Sequence, residues 1–177
     1  APLHRRCRWR LAHVVAGILM AAGRRTASSW WRAAGIGRAY RSYYYFLDHL
    51  GRKATQVATV LVGLTARHID PDERWLLVLD DSPTKRYGPE VQGAGVHHNP
   101  TPGPAGSKFL YGHSWVILGR VVHHPHGGAV ALPLLGRLYI REKDIPDLPD
   151  DIEWAFRTKP QLAAGLITWA GDRLGGP

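Results

Sequence analysis

The apolar residues in the first third of the chain recur at helical spacing. A helix is predicted over 9–22, where they occupy every third or fourth position. They are Leu11, Val14, Val15, Ile18 and Leu19. Thr26 or Ser28 can cap a second helix that stops near Gly35, because a side-chain oxygen satisfies the free N–H groups of a first turn. Two short helices joined in this way also fit a helix-turn-helix, although helix pairs are common and this feature alone indicates little.

Two more helices are predicted before the pattern changes. One spans 40–50 and the other spans 54–68, and the second places four apolar side chains on one face. These are Val57, Val60, Leu61 and Leu64. The Asp- and Pro-containing segment 69–73 then interrupts the helical period.

The pattern after residue 74 predicts strands. Three continuous apolar runs have strand length: 75–79, 109–122 and 127–140. Pro133 within the last run marks a sheet edge or a bulge. The connection 82–108 is rich in Pro and Gly, and a loop of that length is predicted to have a function. Thr158 is predicted to cap a final helix that ends before Gly175.

The positive charge is concentrated in the N-terminal part of the chain. The net charge is +9, and residues 1–74 hold 13 Lys or Arg against 4 Asp or Glu, whereas the remainder is neutral. Arginines interleaved with Trp and Tyr favour nucleic acid over a merely solvated surface, since arginine neutralises phosphate and aromatic rings either stack on bases or build a core. The candidate DNA contacts are Arg24, Arg25, Arg32, Arg38 and Arg41.

The single cysteine and the hydropathy limit the remaining classes. Cys7 alone forms no internal disulfide and no cysteine pair for a zinc ribbon, which fits a reducing compartment. The longest apolar stretch, 14–23, is too short for a bilayer span, which needs about 20 residues. A signal peptide is a weaker alternative, because arginines continue on both sides of that stretch. No membrane association is therefore expected.

Two adjacent carboxylates, Asp80 and Asp81, follow the first predicted strand in the segment WLLVLDDSPTKRYG. Burying unpaired carboxylates costs free energy, so the doublet is expected to have a role that offsets this cost. Alternation along a strand places the two side chains on opposite faces, and only one of them then faces a site. The structural alternative is that both simply end the strand.

This doublet belongs to a set of motifs that resembles the DDE transposases of bacterial insertion sequences. The motifs are LDDS, PTKRYG, GVHHNP, YGHSWVILG and ALPLLGRLYIREKD. The helical segment RRTASSWWRAAG resembles the region that precedes the catalytic domain in that family. The resemblance covers nearly the whole chain and is most specific over residues 76–143.

The resemblance implies an α+β or α/β architecture in two parts. Residues 1–72 would be a helical, basic DNA-binding region. Residues 73–177 would be the N-terminal part of a ribonuclease H-like catalytic domain, with three antiparallel strands and a helix. In the family a second aspartate follows the fourth strand and a glutamate lies on a later helix. Neither position occurs in the sequence, so a C-terminally truncated fragment is expected.

The implied activity is DNA transposition by metal-dependent strand cleavage and transfer. Family members hold two divalent ions, usually Mg²⁺, and hard carboxylate oxygens suit that ion. Asp81, followed by Ser82, matches the family pattern and is the expected catalytic residue and metal ligand. Asp80 is also expected in the metal site, either supporting the ligand from behind or simply capping the turn. Lys85 and Arg86 would face DNA phosphates. The implied partners are transposon ends and target DNA, with a possible homodimer, in the bacterial cytoplasm at the nucleoid.

Three alternatives stay open. The first is a catalytically inactive DNA-binding remnant of a transposase, since the later carboxylates are missing from the sequence. The second is a zinc or other transition-metal site built from histidines, although no H-E-x-x-H motif or cysteine partner accompanies them. They are His97, His98, His113, His123, His124 and His126. The third is a Ser82 hydrolase triad, which lacks the G-x-S-x-G motif.

Overall fold

The computed structural model describes most of the chain in two compact units, residues 1–61 and 62–177. The residues described are 2–23, 26–67, 74–88, 90–101, 106–124 and 126–174. The division between the units falls inside the fourth helix. The functional assignment of 1–72 to DNA binding and 73–177 to catalysis stays a prediction.

The N-terminal unit is helical, as the periodicity predicts. A short 3-10 helix, Arg5–Cys7, precedes the helices α1 Arg8–Met20, α2 Ala27–Ala33, α3 Tyr40–Arg52 and α4 Ala54–Ala66. Of the two predicted caps, Thr26 is the one that precedes α2, and its side chain accepts a hydrogen bond from the Ser29 N–H. Helices α1 and α2 approach closely at Gly17, where a Cβ would lie 2.4 Å from the Trp30 carbonyl oxygen.

The core of this unit is largely aromatic. Its buried members are Leu3, Val14, Trp31, Tyr43 and Phe46. The hydroxyl of Tyr43 lies 2.7 Å from Nδ1 of His13, so the phenol keeps a polar partner inside the core. Trp31 and Tyr43 are therefore core residues, whereas Tyr40 and Tyr45 remain exposed.

The apolar face predicted on α4 is half-buried to exposed in the structure. Val60, Leu61 and Leu64 are 38–47% exposed, and the residues that are buried instead are Ala58 and Val62. The i, i+3, i+4, i+7 spacing defines one face of this helix, and that face is not the buried one.

The second unit contains a four-stranded antiparallel sheet. Its strands are β1 Leu77–Lys85, β2 Gly95–His98, β3 Phe109–His124 and β4 Gly128–Tyr139. Strand β3 is central: β1 pairs with one of its edges, and β2 and β4 pair with the other, one after the other. Antiparallel strands with helices give the mixed α+β architecture that the resemblance implies, and the arrangement is consistent with part of a ribonuclease H-like fold.

Two features of the sheet differ from the prediction. The first strand does not stop at Leu79 but continues to Lys85, because its pairing with β3 extends to Gly112. Pro83 is tolerated within it because, among the described residues, β1 lies at a sheet edge and pairs only with β3. The segment 82–108, predicted as a loop, also contains β2. Isolated four-residue strands carry too little periodicity to be recognised in sequence.

The predicted irregularity at Pro133 is confirmed, since the register of β3 and β4 shifts between Leu118 and Gly119, and Gly119 pairs with Pro133. A 3-10 helix, Glu142–Asp147, follows β4, and the final helix α5 spans Lys159–Leu174. Helix α5 lies against β3 and β4. Buried apolar side chains from these three elements cover one face of the sheet: Val116, Leu118, Leu134, Leu135, Leu162, Leu166, Trp169 and Ala170.

Candidate active site

The aspartate doublet lies in the middle of β1. Asp80 pairs with Ile117 and Asp81 with Val116, and successive side chains of a strand point to opposite faces. Asp80 is exposed, whereas Asp81 is half-buried on the face that α5 covers. The Asp80 side chain turns back and accepts a hydrogen bond from the Asp81 N–H at 2.8 Å. Of the two carboxylates, only Asp81 faces α5.

Lys159 is the partner of Asp81. Its Nζ forms an ion pair with Oδ2 of Asp81, and the two side chains are 37% and 41% exposed. The same ammonium lies 5.4 Å from the ring centroid of Tyr139, where the face of the ring attracts a cation. A half-exposed pair of this kind contributes little to folding stability. The pair matters because it places the Lys159 ammonium against the Asp81 carboxylate.

The first turn of α5 holds Lys159 in place through reciprocal capping. The Gln161 N–H donates to Oγ1 of Thr158 at 3.4 Å, and Oε1 of Gln161 accepts from the Thr158 N–H at 2.8 Å. This is a capping box, which satisfies two free donors of the helix terminus. The predicted cap at Thr158 is therefore confirmed. Lys159 itself was not among the predicted site residues, because only packing of α5 on the sheet brings it to Asp81.

A cleft of about 280 Å³ opens beside this pair. It lies between β1, β3 and the start of α5. Apart from the charged groups of Asp80, Asp81 and Lys159, its lining is apolar. The lining residues are Leu79, Asp80, Asp81, Val116, Lys159, Pro160 and Ala163. At this cleft the carboxylate can attract a cation and the ammonium can attract an anion beside it. Both charges are only partly screened by water, because the rest of the lining is apolar.

The same face of the sheet carries a buried polar group further along β2 and β3. His97 is 7% exposed and its ring centroid lies 6.1 Å from that of Tyr139. Burial, followed by the nearby cations Arg141 and Lys159, lowers the pKa of His97, so the imidazole is neutral at pH 7. Nε2 of His97 has no hydrogen-bond partner among the described residues. Sequence analysis placed this histidine in a loop, where its burial could not be recognised.

Arg141 ties β2 to the end of β4. Its Nε and Nη2 donate to the two carboxylate oxygens of Asp144, at 2.5 and 2.8 Å, and Nη1 donates to the Val96 carbonyl at 2.8 Å. Gly95 leaves room for this clamp, because a Cβ there would lie 2.6 Å from Oδ2 of Asp144. The clamp fixes the strand that carries His97.

Lys85 and Arg86, the predicted phosphate contacts, lie at the end of β1. Lys85 is exposed, with Nζ 5.2 Å from the Tyr87 ring centroid. Arg86 donates from Nε to Nδ1 of His113 at 3.2 Å, and Nε2 of His113 lies 2.9 Å from the Gln92 carbonyl oxygen. Nδ1 therefore accepts and Nε2 carries the proton. Arg86 has a protein partner for one of its donors, and both residues stay candidates for DNA contact.

The predicted DNA contacts of the helical unit are only partly described. Arg32, Arg38 and Arg41 are exposed, and Arg32 donates to the Ser29 hydroxyl at 3.4 Å. Arg24 and Arg25 lie outside the described residues. The three described arginines are accessible to a polyanion, and their contact with DNA stays a prediction.

The alternative metal site built from histidines is not found in the part of the chain that the structure describes. No three His, Cys, Asp or Glu side chains come together there. His97 and His98 are consecutive on β2, so one is buried and the other exposed. Ser82, the residue of the alternative triad, pairs with Trp115 on the face of β1 opposite Asp81.

The carboxylate of Asp81 is suited to be one ligand of a divalent ion. It offers a hard carboxylate oxygen, the type that Mg²⁺ prefers, and the ammonium of Lys159 shows that a positive charge is accommodated there. Asp80 also borders the cleft, but strand alternation directs its side chain to the other face of β1. Among the described residues, a complete set of ligands is not assembled around Asp81.

Comparison with known family models gave one match. The family model described as DDE superfamily endonuclease matches residues 2–175. Searches of curated proteins and of solved structures found no match. No helix within the described residues is both long and apolar enough to cross a lipid bilayer.

Proposed function

Because this chain belongs to the DDE superfamily endonuclease family, we propose that it is a transposase, which cuts the ends of a mobile DNA element and joins them to target DNA. The family implies DNA as the substrate and a divalent metal ion in the reaction. The match spans both the helical unit and the sheet, so both parts belong to this assignment.

The observation that carries the proposal is the Asp81–Lys159 pair beside its cleft. A divalent ion at Asp81 would activate the attacking water or 3′-hydroxyl and stabilise the leaving oxygen in an in-line displacement at phosphorus. Asp81 lies within a paired segment of β1, so its carboxylate is held by a rigid element. Lys159, on a capped helix turn, keeps a positive charge beside the cleft, where a phosphate oxygen would be stabilised.

The finer features of the proposal follow from the resemblance to transposases and from ligand chemistry. Mg²⁺ is the proposed ion because carboxylate oxygens are hard ligands, and two ions in the complete site are what the resemblance implies. The exposed arginines of the helical unit, together with Lys85 and Arg86, would contact phosphates of the transposon ends and the target. A homodimer acting in the bacterial cytoplasm, at the nucleoid, completes the proposal.

One observation favours a second candidate function. Among the described residues, no three His, Cys, Asp or Glu side chains form a group that could hold a metal ion. A chain that keeps the basic helical unit but lacks the further carboxylates would bind DNA without cutting it. The second candidate is therefore a catalytically inactive DNA-binding remnant of a transposase.

Paired substitutions in the doublet test the proposal. In the full natural gene product that carries this chain, Asp81→Asn should abolish Mg²⁺-dependent nicking of plasmid DNA and leave DNA binding intact. The amide keeps the shape of the side chain but loses the charge that holds a dication. Asp80→Asn is the matched control. It should lower the rate by no more than about 10–100-fold, the usual effect of an outer partner of a metal ligand.

The possible outcomes separate the candidates. Binding without cleavage by the unaltered gene product, with either Mg²⁺ or Mn²⁺, would establish the inactive remnant. Normal cleavage by both variants would show that the doublet is not part of the metal site. An inactive Asp80→Asn beside an active Asp81→Asn would exchange the roles of the two residues and leave the family assignment intact.

A further inference from the structure

The exposed side of α3 carries three tyrosines. Tyr40, Tyr44 and Tyr45 are 51%, 45% and 70% exposed, whereas Tyr43 and Phe46 of the same helix are buried in the core. Exposed aromatic side chains are enriched at binding interfaces, because the ring is apolar and the hydroxyl is polar. Three of them on one side of a single helix indicate a surface that has a partner.

Helical spacing groups these tyrosines with an arginine. Tyr40 and Tyr44 are four positions apart and form one row, and Arg41 and Tyr45 form the row beside it. The rings of Tyr40 and Tyr44 meet edge to face, with their centroids 6.4 Å apart. These four residues form the tyrosine face of α3. Arg38 lies two positions before the helix begins.

The charge around the tyrosine face is positive. Arg38 and Arg41 are exposed, and neither has a hydrogen-bond or ion-pair partner among the described residues. Asp48 is the one acidic residue in positions 1–61, and Arg52 pairs with it at 2.7 Å. A polyanion that approaches α3 would therefore meet two available guanidinium groups and no unpaired carboxylate of this helix.

Arginine and tyrosine make different contacts with a nucleic acid. A guanidinium that neutralises a phosphate releases counterions, so its share of the affinity depends on salt. A tyrosine hydroxyl donates a hydrogen bond to a phosphate oxygen and neutralises no charge. The hydroxyl of Tyr45 has no hydrogen-bond partner among the described residues, and Arg41 lies one helical turn before it on the same side of α3. Both kinds of contact are therefore available on this face.

We propose that the tyrosine face of α3 binds the sugar-phosphate backbone of duplex DNA. Arg38 and Arg41 pair with phosphates, and the hydroxyl of Tyr45 donates a hydrogen bond to a phosphate oxygen. This inference rests on the proposed function, because it takes DNA as the ligand. It adds tyrosine contacts to the arginine contacts that charge alone predicts. All of them reach only the backbone and are indifferent to base sequence.

Affinity and salt slope separate the two kinds of contact. Fluorescence anisotropy of a labelled duplex oligonucleotide gives both quantities for the full chain, measured at several NaCl concentrations and at about pH 8, where histidine is neutral. Tyr45→Phe should weaken binding by about 2–10-fold, the usual effect of losing one hydrogen bond. It should leave the slope of log K against log salt unchanged, since it removes no charge.

Arg41→Gln should reduce the magnitude of the same slope by about 0.9, the effect of losing one phosphate contact. Both Arg41 and Tyr45 are exposed, so both variants should fold normally. His49→Gln is the matched control. His49 is exposed on α3 one turn beyond Tyr45, so its substitution changes a polar ring of the same helix outside the tyrosine face. Its affinity and slope should equal those of the wild type.

The outcomes distinguish this inference from the proposed function. Wild-type affinity of Tyr45→Phe, or a wild-type slope of Arg41→Gln, in a chain that binds duplex DNA would overturn the inference and leave the proposed function standing. A wild-type chain that binds no duplex DNA at low salt would overturn both.

Tyr45→Ala identifies the ligand of this face if it is not the DNA backbone. Stacking on unpaired bases needs the ring and not the hydroxyl. Weak binding by Tyr45→Ala beside wild-type affinity of Tyr45→Phe, with a single-stranded oligonucleotide bound more tightly than the duplex, would assign the face to unpaired bases. Unchanged DNA affinity of Tyr45→Ala with an altered sedimentation velocity would assign it to contact between copies of the chain. Either result would overturn the proposed backbone contact.

Discussion

His97 is a buried imidazole on the Asp81 face of the sheet. Burial and the cations Arg141 and Lys159 lower its pKa in the folded chain. In the unfolded chain the imidazole takes up a proton near pH 6.5. Below that pH the unfolded chain binds more protons than the folded one, so acid favours unfolding, and the contribution of His97 to stability is complete only above about pH 6.5.

We predict that His97 makes the chain less stable as the pH falls below about 6.5. His97→Gln should weaken this dependence, because glutamine takes up no proton in this range. His98→Gln, on the exposed face of the same strand, is the control and should behave like the wild type. Midpoints of thermal unfolding between about pH 5 and pH 7.5 report the effect. An identical pH dependence for His97→Gln and wild type would contradict this prediction.

The pairing of β1 with β3 depends on a glycine. A Cβ on Gly112 would lie 2.0 Å from the Thr84 carbonyl oxygen, a backbone atom that can move only if the strands separate. This pairing carries β1 past the doublet to Lys85. The position of Asp81 within a paired strand thus relies on a residue of the neighbouring strand.

Gly112→Ala is expected to destabilise the sheet unit by about 1–3 kcal/mol, as overpacking of a well-packed site does. Gly165→Ala is the matched control. Nothing lies within 4 Å of a Cβ at this exposed position of α5, and alanine should stabilise the helix by roughly 0.5–1 kcal/mol. Urea denaturation of the two variants measures both effects. Equal free energies of unfolding for the two variants would show that a Cβ at position 112 fits between β1 and β3.

The charge of the whole molecule is unevenly distributed, and this asymmetry bears on DNA binding. The excess of positive charge lies in residues 1–74, and three of its arginines, Arg32, Arg38 and Arg41, are exposed. Contacts with phosphates release counterions, so affinity depends steeply on salt. The resulting attraction is long-ranged and does not depend on base sequence.

We predict that the chain binds duplex DNA and that replacing Arg32, Arg38 and Arg41 together by Gln reduces the salt slope by up to about 2.7, or about 0.9 per contact. Arg52→Gln is the control, because its guanidinium is already paired with Asp48 at 2.7 Å. Gel-shift titrations at several salt concentrations measure the slopes. A triple variant with the wild-type slope would exclude these arginines from the interface.

Local features of the sequence predicted most of the elements. The four N-terminal helices, the caps at Thr26 and Thr158 and the irregularity at Pro133 follow from periodicity, side-chain oxygens and the missing N–H of proline. The family assignment also follows from the sequence, since its motifs are contiguous. Each of these features is determined by residues that are close together in the chain.

Tertiary structure decided the features that depend on distant residues. Pairing with β3 carried β1 beyond the doublet. Lys159 meets Asp81 across 78 positions of sequence. Periodicity describes one element at a time, whereas ion pairs and clefts arise where separate elements pack.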